Sequence, residues 1–507
     1  MKRISKGILK HFVASPFIVA ACTAVPLVYI SLPVFRLFFL GAASLAVLLS
    51  FVSYFHSGNS AFIRISLAGA IGILVGIASV SRIAQFAPGL PTKTIASVKG
   101  KLLDDPRSFV SGIGQNSMEE RGMAMMELTE AGTPQSMVRC SARGRTLVFF
   151  PAGTMPRLRD FGRGAELFIE GHFLPNDTEN SMDSAAAVSP FRASSVHIIK
   201  PAPLLERTRT AIRSAVLEKF KPKAWGGLAA ALLLGTRENL ESSLAVSFRN
   251  AGLSHILALS GMHLAFLSAM LAFVLKKPLG KKGSLIAGFV FIVLYVLLVG
   301  PQPSLVRAVI MYGMGSFLVL TGTTRQSFAV LSAAFLVQIL RDPSSAYSIS
   351  FVLSYLALGG ILALSGPLLV LLRGRLPGFL AMGFGASASA FFATAPLVTA
   401  VFGVLRPAGI SAGLIAAPLS GVFMALSLLW LLLAKLPLVG MIAEPILDLS
   451  LTALHFVIQW TIGFFARFPG IKTMPAAVCI ITPLLIAGLY VFSLRQERYR
   501  NELAPFA

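Results

Sequence analysis

The sequence predicts a polytopic α-helical membrane protein with one small all-β domain inserted between its helices. Hydrophobic residues make up 55% of the 507 positions and charged residues 13%, which is about half the charged share of ordinary soluble domains. Apolar runs that approach a bilayer span of about 20 residues recur along the chain. Between residues 83 and 202 these runs give way to short alternating stretches that are typical of strands. A soluble globular chain is therefore excluded.

The N-terminal part is predicted to contain a membrane block followed by the β domain. Apolar runs lie near residues 12–30, 34–53 and 62–82, and we interpret residues 1–82 as three uncleaved spans because further hydrophobic segments follow. Residues 83–202 are predicted to form a small barrel. Its expected strands are Thr94–Leu103, Met137–Ser141, Arg145–Phe150, Leu167–Phe173 and Val196–Ile199.

Residues 203–228 are predicted to form an amphipathic connecting helix. Leu205, Ile212, Val216 and Phe220 are spaced among Arg and Lys residues, which suits a helix on the membrane surface whose charges contact lipid phosphate or DNA phosphate. Residues 229–495 are predicted to form the main transmembrane domain, and residues 496–507 are predicted to form a cytoplasmic tail. The apolar segments of the transmembrane domain lie near 254–275, 283–300, 305–321, 327–340, 348–372, 378–403, 408–434, 446–467 and 474–494. The chain thus has about twelve predicted spans.

The distribution of basic residues predicts the orientation in the cytoplasmic membrane. The net charge is +23, and cytoplasmic loops collect Lys and Arg whatever a membrane protein does. If the N-terminus is cytoplasmic, alternating spans place the C-terminus and most loop Lys and Arg residues in the cytoplasm and the β domain outside. The cytoplasmic basic residues are then Lys276, Lys277, Lys281, Lys282, Arg325, Arg373, Arg375, Lys435, Arg495, Arg498 and Arg500.

Polar residues near the start of one predicted span are the strongest candidates for function. His255, Ser260 and His263 indicate a lined pathway, with a polar contact between helices as the alternative. Gly261 favours a break in the helix, which a membrane tolerates only where protein or water satisfies the freed backbone. His255 and His263 would lie about 80° apart on a continuous helix, so we do not expect them to share a metal.

The sequence lacks the features of an enzyme. No buried Asp or Glu has a spacing that would orient either histidine, and no Walker A, Rossmann, HExxH or CxxC pattern occurs. The scattered Cys22, Cys140 and Cys479 form no zinc motif or disulfide framework. We therefore expect no catalysis, metal or cofactor. A membrane-embedded enzyme that uses His255 or His263 is a further alternative, but it would need a metal or nucleophile that the sequence does not supply.

Several isolated charges leave two interpretations open. Arg307 either faces a translocating phosphate backbone or extends its charge to the membrane interface. The Arg341–Asp342 turn is structural or functional, and the same holds for three polar residues of a later span. Those three are Glu444, Asp448 and His455.

The segment Gly252–His263 reads GLSHILALSGMH and follows ALLLGTR at Ala231–Arg237. This pattern resembles the signature of the ComEC competence family. The resemblance continues in the family's order through Pro303–Ala308, Asp342–Pro343, Ser350–Tyr355, Ala395–Leu397 and Ala417–Leu419. It also covers Val98–Ile199, whose counterpart in the family is an outward-facing domain of OB-like character.

The resemblance implies a membrane channel that takes up single-stranded DNA in natural transformation. Expected partners besides DNA and the lipid bilayer are an outer DNA receptor and a cytoplasmic helicase. Many members carry a C-terminal metallo-β-lactamase-like domain, which we expect to be missing here, so that a separate nuclease would degrade the other strand. The alternative is a transporter or lipid-handling protein that uses the same scaffold for a different substrate.

The candidate residues fall into two groups. The channel and motif candidates are His255, Ser260, Gly261, His263, Arg307, Asp342 and Ser354. The candidates for DNA contact on the barrel are Arg139, Arg143, Arg145, Arg157, Arg159 and Arg163. The oligomeric state is left open.

Overall fold

The computed structural model describes residues 94–472, apart from gaps at 112–118, 134–138, 152–161, 175–189, 238, 323–326, 373 and 434–436, with isolated positions at 21, 75 and between 478 and 489. The predicted spans at 12–30, 34–53, 62–82 and 474–494 thus lie wholly or almost wholly outside the described residues. The chain divides into two compact units. Unit 1 comprises the chain up to Lys219, Leu294–Pro301 and Phe335–Ile349; unit 2 comprises Phe220–Val293, Gln302–Ala334 and the chain from Ser350.

Unit 1 contains a closed β barrel. Its strands are β1 Ser97–Leu102, β2 Arg107–Ser111, β3 Glu119–Gly132, β4 Arg139–Ser141, β5 Arg145–Phe150, β6 Glu166–Phe173 and β7 Phe191–Lys200. Five of them close the sheet in the order β1, β6, β7, β5, β3 and back to β1, while β2 and β4 pair with β3. The β5–β7 pair is parallel, and the other pairs are antiparallel. The predicted small barrel is therefore present.

The long strand β3 closes the barrel and was not predicted. Its inward positions carry Gly122, Ala124, Met126 and Leu128, which are small or flexible residues with little intrinsic strand preference. β3 pairs with both β1 and β5, and its register against β1 shifts at Gly100. A side chain at Gly100 would collide with the Glu127 carbonyl oxygen, because an added Cβ would lie 2.2 Å from it. Glycine there lets the two strands approach.

The helices are α1 Leu204–Phe220, α2 Gly226–Leu234, α3 Ser242–Asn250, α4 Ser254–Leu257, α5 Gly261–Val299, α6 Pro303–Leu320, α7 Ser327–Arg341, α8 Ile349–Leu372, α9 Gly378–Phe402, α10 Ala408–Leu433 and α11 Pro437–Ala466. A 3₁₀ turn, Pro343–Tyr347, follows α7, and β8 Val404–Leu405 pairs with β9 Ile471–Lys472. Among the described residues, six helices are long and apolar enough to cross a membrane: α5, α6, α8, α9, α10 and α11. The protein is thus a multi-pass membrane protein with a β domain.

Helix α5 is long enough for two crossings. Its 39 residues would extend about 58 Å, roughly twice the 30 Å hydrocarbon thickness of a bilayer. Gly280 interrupts it with a φ of 68° that is not helical, next to Pro278 and four exposed lysines. The two predicted segments 254–275 and 283–300 correspond to its halves. The first half begins at Gly261 rather than near residue 254, because the backbone leaves the helical conformation before Ser260.

Helix α7 has the predicted bounds to within one residue, and its 15 residues are fewer than a full span needs. One further boundary differs from the prediction, because α11 begins at Pro437 rather than near residue 446. The extra turns of α11 carry Glu444 and bring it beside Lys223, whose Nζ lies 3.8 Å from Oε1 of Glu444.

A cluster of ion pairs centred on Asp105 attaches the barrel to α1 within unit 1. One oxygen of Asp105 accepts hydrogen bonds from Arg209 and from Nη1 of Arg213, the latter at 3.0 Å. The other oxygen accepts from the backbone N–H of Arg163 at 3.2 Å. Arg209 also pairs with Glu206 at 2.8 Å. Arg209 is only 7% exposed, so its charge depends on these carboxylates.

In unit 2, a second polar anchor holds the entry to α2 against α11. Asp448 accepts from Nε1 of Trp225 at 2.7 Å and from Nζ of Lys223 at 3.2 Å. The same ammonium lies 5.4 Å from the ring centroid of Trp430 on α10. Of the two interpretations of Asp448, these contacts support the structural one.

We expect Asp105→Asn to lower the free energy of unfolding of unit 1 by about 2–3 kcal/mol, since it leaves the charge of Arg209 buried with one remaining carboxylate. Thermal unfolding of the purified protein in detergent measures this. Glu127→Gln is the matched control, because Glu127 is an exposed barrel carboxylate. Equal stabilities of the two variants would contradict the role given to Asp105.

Candidate functional site

The backbone between α4 and α5 forms a break in the helix at the start of a membrane span. Helix α4 ends at Leu257, and Ala258 is extended, with φ −86° and ψ 132°. The carbonyl of Leu259 accepts a hydrogen bond from Oγ of Ser304 on α6 at 2.8 Å. The carbonyl of Ser260 accepts from the backbone N–H of His263 at 3.1 Å. Protein groups thus satisfy the backbone that the break frees.

His263 folds back onto the residue that precedes α5. Its Nδ1 accepts from the backbone N–H of Ser260 at 3.4 Å, as the third helical residue does in a capping box. Because Nδ1 accepts, the proton of the neutral ring lies on Nε2. The imidazole is 1% exposed, and its Nε2 has no partner among the described residues. The neutral ring therefore presents a buried, unused donor.

Arg307 on α6 lies beside the break. It is 8% exposed, and its Nη1 donates to the backbone carbonyl of Ser354 on α8. Its guanidinium carbon lies 5.6 Å from the ring centroid of Tyr355. A Cβ added to Gly261 would lie 3.1 Å from Nη2, so glycine provides the room for the guanidinium. The guanidinium of Arg307 therefore packs against the helix break at Gly261.

Within the described part of the chain, no carboxylate forms an ion pair with Arg307, and its Nε has no hydrogen-bond partner. The hydroxyl of Ser260 is likewise buried without a partner there. A buried cation with only neutral neighbours favours an anion beside it. We call Ser260, Gly261, His263, Ser304 and Arg307 the helix-break site.

The structure distributes the other predicted channel residues differently. His255 lies on α4 with an exposed side chain. The angle of 80° assumed a continuous helix from His255 to His263, and this assumption is wrong because the helix is interrupted. Ser354 contributes its backbone carbonyl to Arg307. No group of three His, Cys, Asp or Glu residues that could hold a metal occurs among the described residues.

Asp342 belongs to unit 1, not to the helix-break site. It precedes the 3₁₀ turn after α7 and accepts from Oγ of Ser344 at 2.5 Å. It also pairs with Nη2 of Arg145 on β5 at 3.3 Å. Two residues to which the sequence assigned separate roles thus form one ion pair.

The structure describes the surroundings of three of the six arginines proposed for DNA contact. Arg143 is exposed, Arg145 is engaged with Asp342, and the backbone of Arg163 bonds Asp105. Arg139 begins β4. Arg157 and Arg159 lie outside the described residues.

Sequence reasoning did not assign Ser304 and Tyr355 to the site. Both stand in the segments that carry the resemblance, Pro303–Ala308 and Ser350–Tyr355. Ser304 could have been proposed as a site residue from the sequence, because its hydroxyl stands three residues before Arg307 in a predicted membrane span. Its partner, the carbonyl of Leu259, lies 45 residues away in the chain and is visible only in the fold.

Comparison with known proteins identifies relatives. A family model described as "Competence protein" matches residues 232–498, which include the whole helix-break site. "ComE operon protein 3" from Bacillus subtilis (strain 168) is 28% identical over 130 residues. That match covers 25% of this chain and 17% of the relative's length. No solved structure matches the chain significantly.

Gly261→Val is expected to lower the free energy of unfolding by about 1–3 kcal/mol, because the added side chain forces the guanidinium of Arg307 to move. Gly315→Val on α6 is the control, since nothing lies within 4 Å of a Cβ there. Thermal unfolding in detergent, followed by tryptophan fluorescence, compares the two. If both variants lose the same stability, the contact between Gly261 and Arg307 has no energetic importance.

Proposed function

The chain belongs to the competence protein family, and from this premise we propose that it forms a channel that passes single-stranded DNA across the cytoplasmic membrane in natural transformation. The observation that carries the proposal is Arg307, a buried cation whose described partners are a carbonyl and an aromatic ring. A DNA phosphate supplies the anion that this arrangement lacks. Contacts to phosphate are independent of base sequence, as uptake of arbitrary DNA requires.

The other groups of the helix-break site fit a passing phosphodiester. His263 offers an N–H at Nε2 and Ser260 offers a hydroxyl, and both are buried without described partners. Conduction requires binding that is strong enough for entry and weak enough for exit. One guanidinium with two neutral donors meets this condition better than a cluster of cations would. The site thus acts on the strand by transient charge compensation.

We propose an orientation with the barrel outside the cell and both termini in the cytoplasm. The second half of α5 runs about 27 Å from Lys281 to Val299, close to the thickness of the hydrocarbon layer. Lysines cluster at its start, as expected of a cytoplasmic boundary. Its end, Leu294–Pro301, groups with the barrel in unit 1. With the segments outside the described residues, about twelve spans complete this topology.

We further propose that the barrel is OB-like and contacts single strands. An OB-fold is a five-stranded barrel that binds oligonucleotides, and five strands close the sheet here. Arg143 is exposed and available for phosphate, whereas Arg145 has a structural partner in Asp342. The contribution of Arg139, Arg157, Arg159 and Arg163 remains a prediction.

We propose that other proteins supply the energy for transport and degrade the second strand. The sequence has no nucleotide-binding fingerprint and no zinc motif, so we propose that this chain is not itself an enzyme. An outer DNA receptor, a cytoplasmic helicase and a separate nuclease are the proposed partners.

Uptake of labelled DNA into the cytoplasm of the native host tests the proposal. A clean deletion should abolish uptake, and complementation with the intact chain should restore it. Unchanged uptake in the deletion strain would instead favour a transporter or lipid-handling protein with a different substrate.

Arg307→Gln should reduce uptake at least about tenfold at unchanged protein level, since a charge-assisted hydrogen bond to phosphate contributes about 1.5–3 kcal/mol. Arg249→Gln removes one positive charge from an exposed position of unit 2 and serves as the control. Uptake that falls equally in both variants would show that total charge matters, rather than this site.

Two substitutions at His263 separate its roles. The amide of Asn reaches the position of Nδ1 and can still accept from Ser260, whereas that of Gln reaches Nε2 and can still donate to phosphate. We expect His263→Gln to support about fivefold more uptake than His263→Asn, which corresponds to one neutral hydrogen bond of ~1 kcal/mol. The opposite order would indicate that His263 serves to cap α5 and does not contact the strand.

A further inference from the structure

Helix α1 turns Arg209 and Arg213 toward the barrel and exposes several of its apolar side chains. Arg209 is 7% exposed, whereas Leu204, Leu205 and Ile212 are 75%, 66% and 54% exposed. Leu205 and Ile212 are seven positions apart and therefore share one face of the helix. This polarity is the reverse of that expected for a helix in water. The sequence predicted that the charges of α1 contact lipid phosphate or DNA phosphate; Arg209 and Arg213 instead pair with Asp105, whereas Arg207 and Lys219 are exposed.

The charged face of α1 also contacts the end of a membrane span within unit 1. Nη1 of Arg213 donates to the carbonyl of Val299, the last residue of α5, at 3.3 Å. A Cβ added to the next residue, Gly300, would lie 3.6 Å from Nη1 of Arg209. Since α5 ends there, α1 lies at the depth of a membrane boundary.

Apolar side chains on the last two turns of α5, close to this contact in the chain, are exposed. Leu294 and Leu297 are 60% and 51% exposed, as expected of side chains that face lipid. The apolar face of α1 therefore continues a surface that already meets acyl chains.

We infer that α1 lies in the interfacial layer of the bilayer, with Leu204, Leu205 and Ile212 inserted among the acyl chains. Lipid is the occupant that these observations favour, because the exposed cations Lys200, Arg207 and Lys219 accompany the exposed apolar side chains, as in helices that bind anionic lipid surfaces. Helix α1 then attaches the barrel to the membrane, since one face contacts Asp105 and the other face contacts lipid. The inference does not depend on DNA being the cargo.

Single cysteines on α1 test the inference. Cys22, Cys140 and Cys479 are replaced by Ser, and a nitroxide label is placed at Leu205→Cys, Ile212→Cys, Arg207→Cys or Glu218→Cys. Arg207 and Glu218 are exposed and eleven residues apart, so they serve as controls on a different face. The intact protein is reconstituted in nanodiscs of phosphatidylethanolamine and phosphatidylglycerol. Collision of each label with oxygen, which partitions into lipid, is compared with collision with a water-soluble nickel chelate.

We expect the ratio of oxygen to nickel collisions to be several-fold higher at positions 205 and 212 than at 207 and 218. Equal ratios at all four positions would place α1 in water and overturn the inference. The labels at positions 205 and 212 could instead be immobilised and shielded from both reagents, in detergent as well as in nanodiscs. That result would show that protein covers this face of α1. Dipolar broadening between labels would identify that protein as a second copy of the chain, and this too would overturn the inference.

Discussion

A backbone carbonyl within a bilayer must find a donor inside the protein, and this constraint shapes the region around the helix break. Leaving the helical conformation between α4 and α5 frees carbonyl groups that water would satisfy in a soluble protein. Ser304 supplies the hydroxyl for Leu259, which draws α6 against the break. That approach brings Arg307 beside Gly261. The position of the cation is therefore a consequence of how the broken backbone is satisfied.

Two groups of arginines show how neighbours decide the role of a charge. Arg209 and Arg213 share the carboxylate of Asp105, so their charges are neutralised within unit 1 and stabilise the attachment of the barrel. Arg307 has no such carboxylate among the described residues and bonds a carbonyl instead. A paired arginine serves structure, whereas a cation with neutral neighbours retains the capacity to attract an anion. This difference is the physical basis for proposing that the helix-break site contacts the transported strand.

Prediction from sequence succeeded where the pattern was local. β5 has the predicted bounds, and α8, α9 and α10 agree with the predicted spans to within a residue at each end, because a bilayer selects long apolar runs. It failed for β3, since Met, Ala and Gly at inward positions become strand-like only through pairing with β1 and β5. The residues of the site around Ser260 and Gly261 were predicted from the sequence. The geometry of the site was not predicted, because the hydrogen-bond partners come from Ser304 on α6 and from the carbonyl of Ser354 on α8.

By itself, the sequence determined that the chain crosses a membrane, that a β domain interrupts the spans and that the segment around Gly252–His263 is distinctive. These properties follow from composition and short-range spacing. Only the tertiary structure decided that Arg145 pairs with Asp342, that Ser304 caps the carbonyl of Leu259 and that Arg209 of α1 pairs with Asp105. Each of these contacts joins residues 45 or more positions apart, and side chains so distant in the chain meet only when the packed elements bring them together.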